Sequence, residues 1–364
     1  VIENKDVVVV GGGLIGAACS RELAARGWSV LVLEPANRLG AAWRASAGLL
    51  APQLDSASGR PWFDFGIAGR NFYRGEAPAL LAETGIDVEL FSGGILQLAT
   101  SDEEAARFRG AVASQADREL IWLDPTQLRQ RFDWVGDNHG ALHATRDGSL
   151  NPARLVEALR ASAVHRGVRF ETDAAVTVVV EKGRVARIRG ERAEYTTGQV
   201  VVAAGGWSGG IAGLPRQLAI EPVRGQMVAK PWPRHIAPAI VYGFHNYVLE
   251  RNGEAWCGAT MERVGFSSSP TDEGQAEVVA ATNRLVPALV EQPVLRGWAG
   301  LRPVTPDGLP ILGRDPHVEG LWYATGHGRN GVLLAGVSAV ALADMITGEP
   351  CHPATALMRA DRFA

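Results

Sequence analysis

The chain opens on a switch between two hydrophobic periods. Residues 7–10 (Val-Val-Val-Val) are a continuous β-branched run, which predicts a strand buried on both faces. The run passes directly into Gly11-Gly12-Gly13-Leu14-Ile15-Gly16. The spacing then turns helical through Leu23 and Ala24 to Arg26, and Gly27 predicts its end. A second apolar run, 30–33, closes on Glu34. Much later, 199–208 reads as another buried strand ending in small residues, and 321–331 runs a strand into a glycine turn. A helix from about 330 to 346 follows, apolar on nearly all sides and therefore expected inside. Between these lie strand-like runs at 94–100, 239–248 and 255–260, and helical stretches at 101–116 and 152–166.

Strand, glycine turn, helix, strand and terminal acid make a dinucleotide-binding unit. Gly11 permits the tight turn, Gly13 lets a diphosphate approach the backbone, and Gly16 lets the helix pack against the strand. The helix N-terminus supplies free amides and a favourable dipole, and Glu34 is placed to bind ribose hydroxyls. The segments 199–208 and 321–331 point to FAD rather than NAD. A long extended cofactor, anchored at one end and met by a helix N-terminus at its ring, uses both. The expected class is α/β: an FAD-binding Rossmann-like domain of the glutathione-reductase type, with an α+β substrate domain on a mixed sheet. The FAD domain is expected to be discontinuous, 1–85, 150–220 and 303–364, with 86–149 and 221–302 forming the substrate domain.

Composition narrows the field. The 364 residues are 46% hydrophobic, enough for a large core, and the net charge is −3 with no Lys/Arg run. Phosphate-backbone binding needs clustered positive charge, so a nucleic-acid partner is not expected. Cys19, Cys257 and Cys351 lie far apart, without a CxxC pair or His-rich tract, so neither disulfides nor a structural metal are expected. The apolar segment 332–343 is short of the roughly twenty residues a membrane span needs, and the first residues leave no room for a signal peptide. A cytoplasmic, soluble protein is the expectation.

With these motifs the chain resembles the D-amino-acid oxidase superfamily, and within it the glycine oxidases of the thiamine-biosynthesis type. The carriers are GGGLIG at 11–16, ASAGLLAP at 45–52, VVVAAGGWS at 200–208 and GATM at 258–261, with GLRPVTPDGLPILG at 300–313 and ATGHGRNGVLLA at 324–335 the most specific. The resemblance implies FAD contacts from Leu14, Ile15, Glu34 and Pro35 at the adenosine and diphosphate, and from Ala42, Trp43, Ala47, Gly48 and Leu49 along the linker and flavin. Val176 would lie near the adenine, and His327, Gly328, Arg329, Asn330, Gly331, Val332 and Leu333 would wrap the ring. It implies that Arg302 binds the substrate carboxylate, that Tyr247 assists it, that Arg329 flanks the amine, and that Met261 and His245 line the pocket. Relatives that tether flavin do so through a cysteine near the end of this domain pair. None lies between Cys257 and Cys351, so FAD is expected to be noncovalent. The implied activity is oxidative deamination of glycine, small amines or D-amino acids, with hydride passing from Cα to flavin N5 and electrons then to O2, giving H2O2. A D-amino-acid or sarcosine dehydrogenase of the same superfamily is the alternative. A tRNA-modifying flavoprotein would need a basic groove that the charge does not supply. The family also implies a homotetramer.

On residue chemistry alone, alternatives stay open. Arg302, in the apolar Gly300-Leu301-Arg302-Pro303 setting, needs a planar carboxylate from a ligand or from a neighbour such as Asp307. Tyr247 on a strand fits core packing as well as a ligand contact. Arg329 sits at a helix start, where the dipole disfavours a cation, or it faces solvent. Met261 and His245 are residue types that fill cores routinely.

Overall fold

The computed structural model describes residues 2–54, 62–114, 119–173 and 175–363. Two eight-stranded sheets organise the chain. In the first, Ile2–Val10 lies between Val30–Glu34 and Glu194–Val202, parallel to both, and Leu321–Thr325 adds in parallel beyond Val202. Ile311–Arg314 and Arg169–Thr172 take the two ends of this order. Val7, Val8, Val9 and Val10 are at most 3% exposed, as a run without alternation requires. The two-residue pleat sends them to different layers. Val7 and Val9 pack against helices α1 (Leu14–Ala25), α2 (Phe63–Thr84), α5 (Pro152–His165) and α7 (Gly331–Thr347). Val8 and Val10 pack against Thr177–Glu181 and Arg184–Arg189, which continue from Glu194–Val202 as a meander.

The second sheet runs in the order Arg296–Val304, Glu221–Pro231, Glu254–Gly258, Asn246–Arg251, Ile240–Gly243, Ile95–Leu98, Ala141–Ala144, Leu120–Leu123. It is antiparallel except where Ile240–Gly243 meets Ile95–Leu98. Helix α6 (Asp272–Leu285) covers one face through Val278 and Leu285 against Leu98, Val228, Val241, Val248 and Cys257. Helices α3 (Asp102–Ser114) and α4 (Pro125–Arg131) flank the far edge. The opposite face carries Met227, Tyr242, Tyr247 and Ala259 together with Ala47, Leu49 and Leu54 of the first 54 residues. The cavity lies on that face.

Two sequence expectations change. The run 239–248 is not one strand but a hairpin, Ile240–Gly243 and Asn246–Arg251, turning at Phe244 and His245 with φ of 50° and 60°. Such a two-residue turn with both φ positive is normally marked by Asn-Gly or Gly, which is why the pattern conceals it. The apolar stretch at the C-terminal end is also longer than its central twelve residues. With the turn Gly328–Asn330, α7 forms 20 residues containing an 18-residue window of mean hydropathy 1.6, long and apolar enough to cross a membrane by length and composition. Here it packs against α1 and α2, with Val332, Leu333, Leu334 and Ala335 at most 5% exposed.

Candidate active site

A cavity of about 610 Å³ runs from the first glycine turn to the inner face of the second sheet. Its nucleotide end is made by backbone. Gly11 has φ of 105°, and a Cβ there would stand 2.6 Å from the Ala203 carbonyl oxygen. Gly13 precedes α1 without any side-chain cap, so the first amides of the helix are left for a ligand. Leu14, Ile15, Glu34 and Pro35 line this end, Val176 closes it, and Ala203 to Trp207 form the opposite wall. Gly16, counted with the cofactor-binding glycines for its packing role in the motif, does not itself line the cavity. A Cβ there would lie 1.8 Å from the Gly11 carbonyl oxygen, so Gly16 seats α1 against the turn.

Glu34 is held by Arg160 of α5, whose Nη2 donates to its carboxylate and whose Nη1 donates to the Gly12 carbonyl at 3.4 Å. Gly12 is bare for the same reason, since a Cβ there would come 2.6 Å from the Glu34 carboxyl group. In the sequence Arg160 carried no mark, and Gly12 stood within the motif without an assigned role. Arg160 lies 126 positions from its partner, and only the fold joins them.

Ala42, Trp43, Ala47, Gly48 and Leu49 line the middle of the cavity. Gly48 has φ of 76°, and a Cβ there would stand 1.9 Å from the Leu150 carbonyl oxygen, so backbone lies against backbone beneath this segment. Arg251 secures it by donating from Nη2 to the carbonyls of Ala47 and Leu150, both at 3.0 Å. His327, Gly328, Arg329, Asn330, Gly331 and Val332 line the other side. Leu333 does not. Its side chain is 1% exposed within the helix-side core. His327 Nε2 is 3.0 Å from Ser338 Oγ, while Nδ1 has no hydrogen-bond partner among the described residues. Burial pulls the imidazole down to about 3, so it is neutral.

The substrate end collects the remaining residues. Arg302, from Arg296–Val304, donates from Nη1 to the Thr260 carbonyl at 2.9 Å, and Nη1 lies 3.3 Å from Met261 Sδ. Among the described residues it has no carboxylate partner. Asp307, the structural alternative, is instead taken by Arg362 at 2.8 and 3.1 Å. Burial pulls Arg302 below the ordinary arginine range, and nearby Arg329 adds to this, while Tyr247 and Glu262 oppose it. Gly225 makes the room, since a Cβ there would be 2.2 Å from the guanidinium. Tyr247 is half-buried on the cavity wall with its hydroxyl 3.5 Å from Met227 Sδ. Burial pushes its phenol up to about 12, so it stays a protonated donor. Arg329 and His245 are exposed cavity residues, and Met261 is 64% exposed, so none of the three is core filling.

The shape fits an extended dinucleotide. A glycine cradle and uncapped helix receive a diphosphate, a held carboxylate sits at the first strand's neighbour, and the volume lies within the usual 300–1,000 Å³ of ligand pockets. Comparison with known proteins agrees. Residues 6–345 match the family described as FAD dependent oxidoreductase (DAO). A glycine oxidase of Pseudomonas putida is 32% identical over 354 residues, covering 95% of both chains. One from Bacillus subtilis is 30% identical over 348 residues, covering 94% of this chain and 93% of the relative. The crystal structure of glycine oxidase from Geobacillus kaustophilus superposes with a TM-score of 0.91 at 27% identity, covering 99% of each chain. Cradle, cavity and relatives converge: this chain belongs to the DAO family of FAD-dependent oxidoreductases and is an FAD enzyme.

Proposed function

We propose that the enzyme oxidises glycine and similarly small amino acids to the imine, which water converts to the oxo acid and ammonia. The observation that carries this is Arg302, a half-buried cation facing the cavity that has no protein carboxylate among the described residues. A fork of parallel N–H donors matches a substrate carboxylate in both geometry and charge. Tyr247, held protonated, donates a further hydrogen bond to that carboxylate. Arg329, at the turn beside it, closes the amine side of the pocket. The chain thus orients Cα and excludes water, and Met261 shields the guanidinium. Bound FAD supplies the hydride acceptor and passes the electrons to O2, giving H2O2. Among the described residues lining the cavity there is no cysteine, and the reading takes FAD as noncovalent. The reading includes a cytoplasmic homotetramer, with the cofactor and substrate domains divided as the two sheets suggest.

Anaerobic addition of glycine, sarcosine or D-alanine to the purified yellow protein tests it. Bleaching of the flavin followed by peroxide on readmission of air is the expected result. Bleaching without peroxide would favour a dehydrogenase, and no bleaching by any of the three would remove the amino-acid reading. Acid precipitation should leave the colour in the supernatant. Colour retained by the pellet would contradict noncovalent attachment.

A further inference from the structure

We propose that Arg251 is a positioning residue for the reaction: it ties the strand that carries Tyr247 to the cavity segment 47–49, and so sets the distance between the substrate end and the cofactor wall. This rests on the FAD-dependent amino-acid oxidation proposed above. Tyr247, Leu249 and Arg251 alternate along Asn246–Arg251 and therefore share one face, with Tyr247 on the cavity wall. Arg251 stands four residues, about 14 Å, from Tyr247. Its Nη2 donates to the carbonyls of Ala47 and Leu150, both at 3.0 Å. Those carbonyls belong to the two sides of a small ribbon. Leu49–Leu50 pairs with Gly148–Ser149, and the Leu150 amide donates to the Gly48 carbonyl at 3.0 Å. A ribbon this short does not hold its own geometry. One nitrogen bridging both sides supplies the missing restraint, and that nitrogen comes from the second sheet.

The rest of the guanidinium is poorly served. Arg251 is 5% exposed, and its Nε and Nη1 have no hydrogen-bond partner among the described residues. The Glu89 carboxylate stands 3.6 Å from Nη1, and the Trp256 ring centroid lies 5.1 Å from the guanidinium carbon. Burial pulls the group down to about 10, so it is still a cation at neutral pH. An unbranched apolar side chain would bury here without unmet N–H groups, and such replacements are often neutral for stability. Packing alone therefore does not account for an arginine at this position. The two carbonyls do, since they need a donor that reaches them from the strand of Tyr247.

The test compares Arg251→Met, which keeps an unbranched stem and loses the donor, with Arg251→Lys, which keeps one donating nitrogen. Lys230→Met is the control for stability alone. Lys230 is 2% exposed and donates to Asn283 and the Leu289 carbonyl, away from the cavity. Titration of the apoproteins should show FAD binding about tenfold weaker in Arg251→Met than in the wild type. At saturating FAD, the limiting rate of anaerobic flavin reduction by glycine should fall about a hundredfold, as a misplacement of about 1 Å costs. The glycine concentration for half-saturation should stay within about threefold, because Arg302 and Tyr247 are retained. Arg251→Lys should lie between, and Lys230→Met should lower Tm while keeping wild-type FAD affinity and limiting rate. Wild-type FAD affinity in Arg251→Met overturns the proposal. So does a limiting rate no higher in Arg251→Lys than in Arg251→Met, or the same losses in Lys230→Met. Should Arg251→Met fail to fold, Arg251→Lys decides: partial loss of affinity and rate supports the tie, and wild-type values overturn it. Equal bleaching of wild type and variants by glycine defeats this inference alone. If no amine bleaches the wild type, the parent reading fails, and the FAD titration still decides whether Arg251 holds the cofactor wall.

Discussion

Arg302 carries the proposed carboxylate contact. Its apolar, turn-flanked setting required a partner, and the fold gives the candidate neighbour, Asp307, to Arg362. If a substrate carboxylate completes the pair, Arg302→Ala should leave FAD bound and reduce kcat/KM for glycine. Breaking a desolvated charge pair costs roughly 2–5 kcal/mol, or about thirtyfold to several thousandfold. Arg302→Lys should restore only part, since an ammonium cannot make two parallel bonds. An amine without a carboxylate should lose little in either variant. Equal losses for both substrates would show that Arg302 supports the fold rather than the ligand. The cavity positions of Arg302 and Glu34 were legible because each is embedded in a local motif, whereas Tyr247 was placed only by resemblance. Arg160 and Gly225 were not, because what makes them matter is a partner or a void supplied by another segment. Arg160 depends for its meaning on Glu34, and Gly225 on the guanidinium beside it.

At the level of elements, the buried strands and the long apolar helix were readable since their patterns are continuous and their punctuation is glycine. The strands at Glu221–Pro231 and Arg296–Val304 were hidden by charges and prolines. Arg224 and Lys230 are 6% and 2% exposed, satisfied by Glu262 and by Asn283 with the Leu289 carbonyl. Hydrophobic pattern cannot see a buried cation that has its own partners. The glycines themselves differ in kind, and this is testable. Gly16→Ala places a Cβ 1.8 Å from the Gly11 carbonyl oxygen, so α1 must lift from the turn that receives the diphosphate. Gly27→Ala meets nothing within 4 Å and only forces alanine to φ of 86°, at a cost of about 1–2 kcal/mol. Gly16→Ala should therefore lose FAD or fail to fold, whereas Gly27→Ala should bind FAD normally with a modestly lower Tm. Titration with FAD and thermal melts of both proteins check this, and equal behaviour would refute the packing role assigned to Gly16.

A large cavity lies between the two sheets, and the described residues around it include ionisable groups whose neutral state depends on the fold. His327 is the sharpest case, a neutral imidazole 2% exposed beside the apolar helix α7. Burial holds it at about 3 against about 6.5 in the unfolded chain, so the unfolded state takes up the proton first. A depressed folded value means that the contribution is complete above pH 6.5 and is lost as pH falls toward 3. For one proton the slope approaches about 1.4 kcal/mol per pH unit. Other groups share part of this range. His143, lowered chiefly by burial, adds in the same direction, and Asp147, which burial pushes up to about 7 against the pull of Arg70, works oppositely. Glu119 enters later: burial raises it, but Arg146, Arg70 and Gln53 outweigh this and hold it at about 2, so its contribution is lost only below about pH 4.5. The informative comparison is thus between wild type and His327→Gln, melted at saturating FAD between pH 7.5 and 5. The wild type should lose Tm more steeply across that interval, and the variant, less stable at pH 7.5, should converge on it toward pH 5. Parallel curves would mean that His327 accepts its proton in the folded state, and that the cavity wall at α7 is wetter than its burial implies.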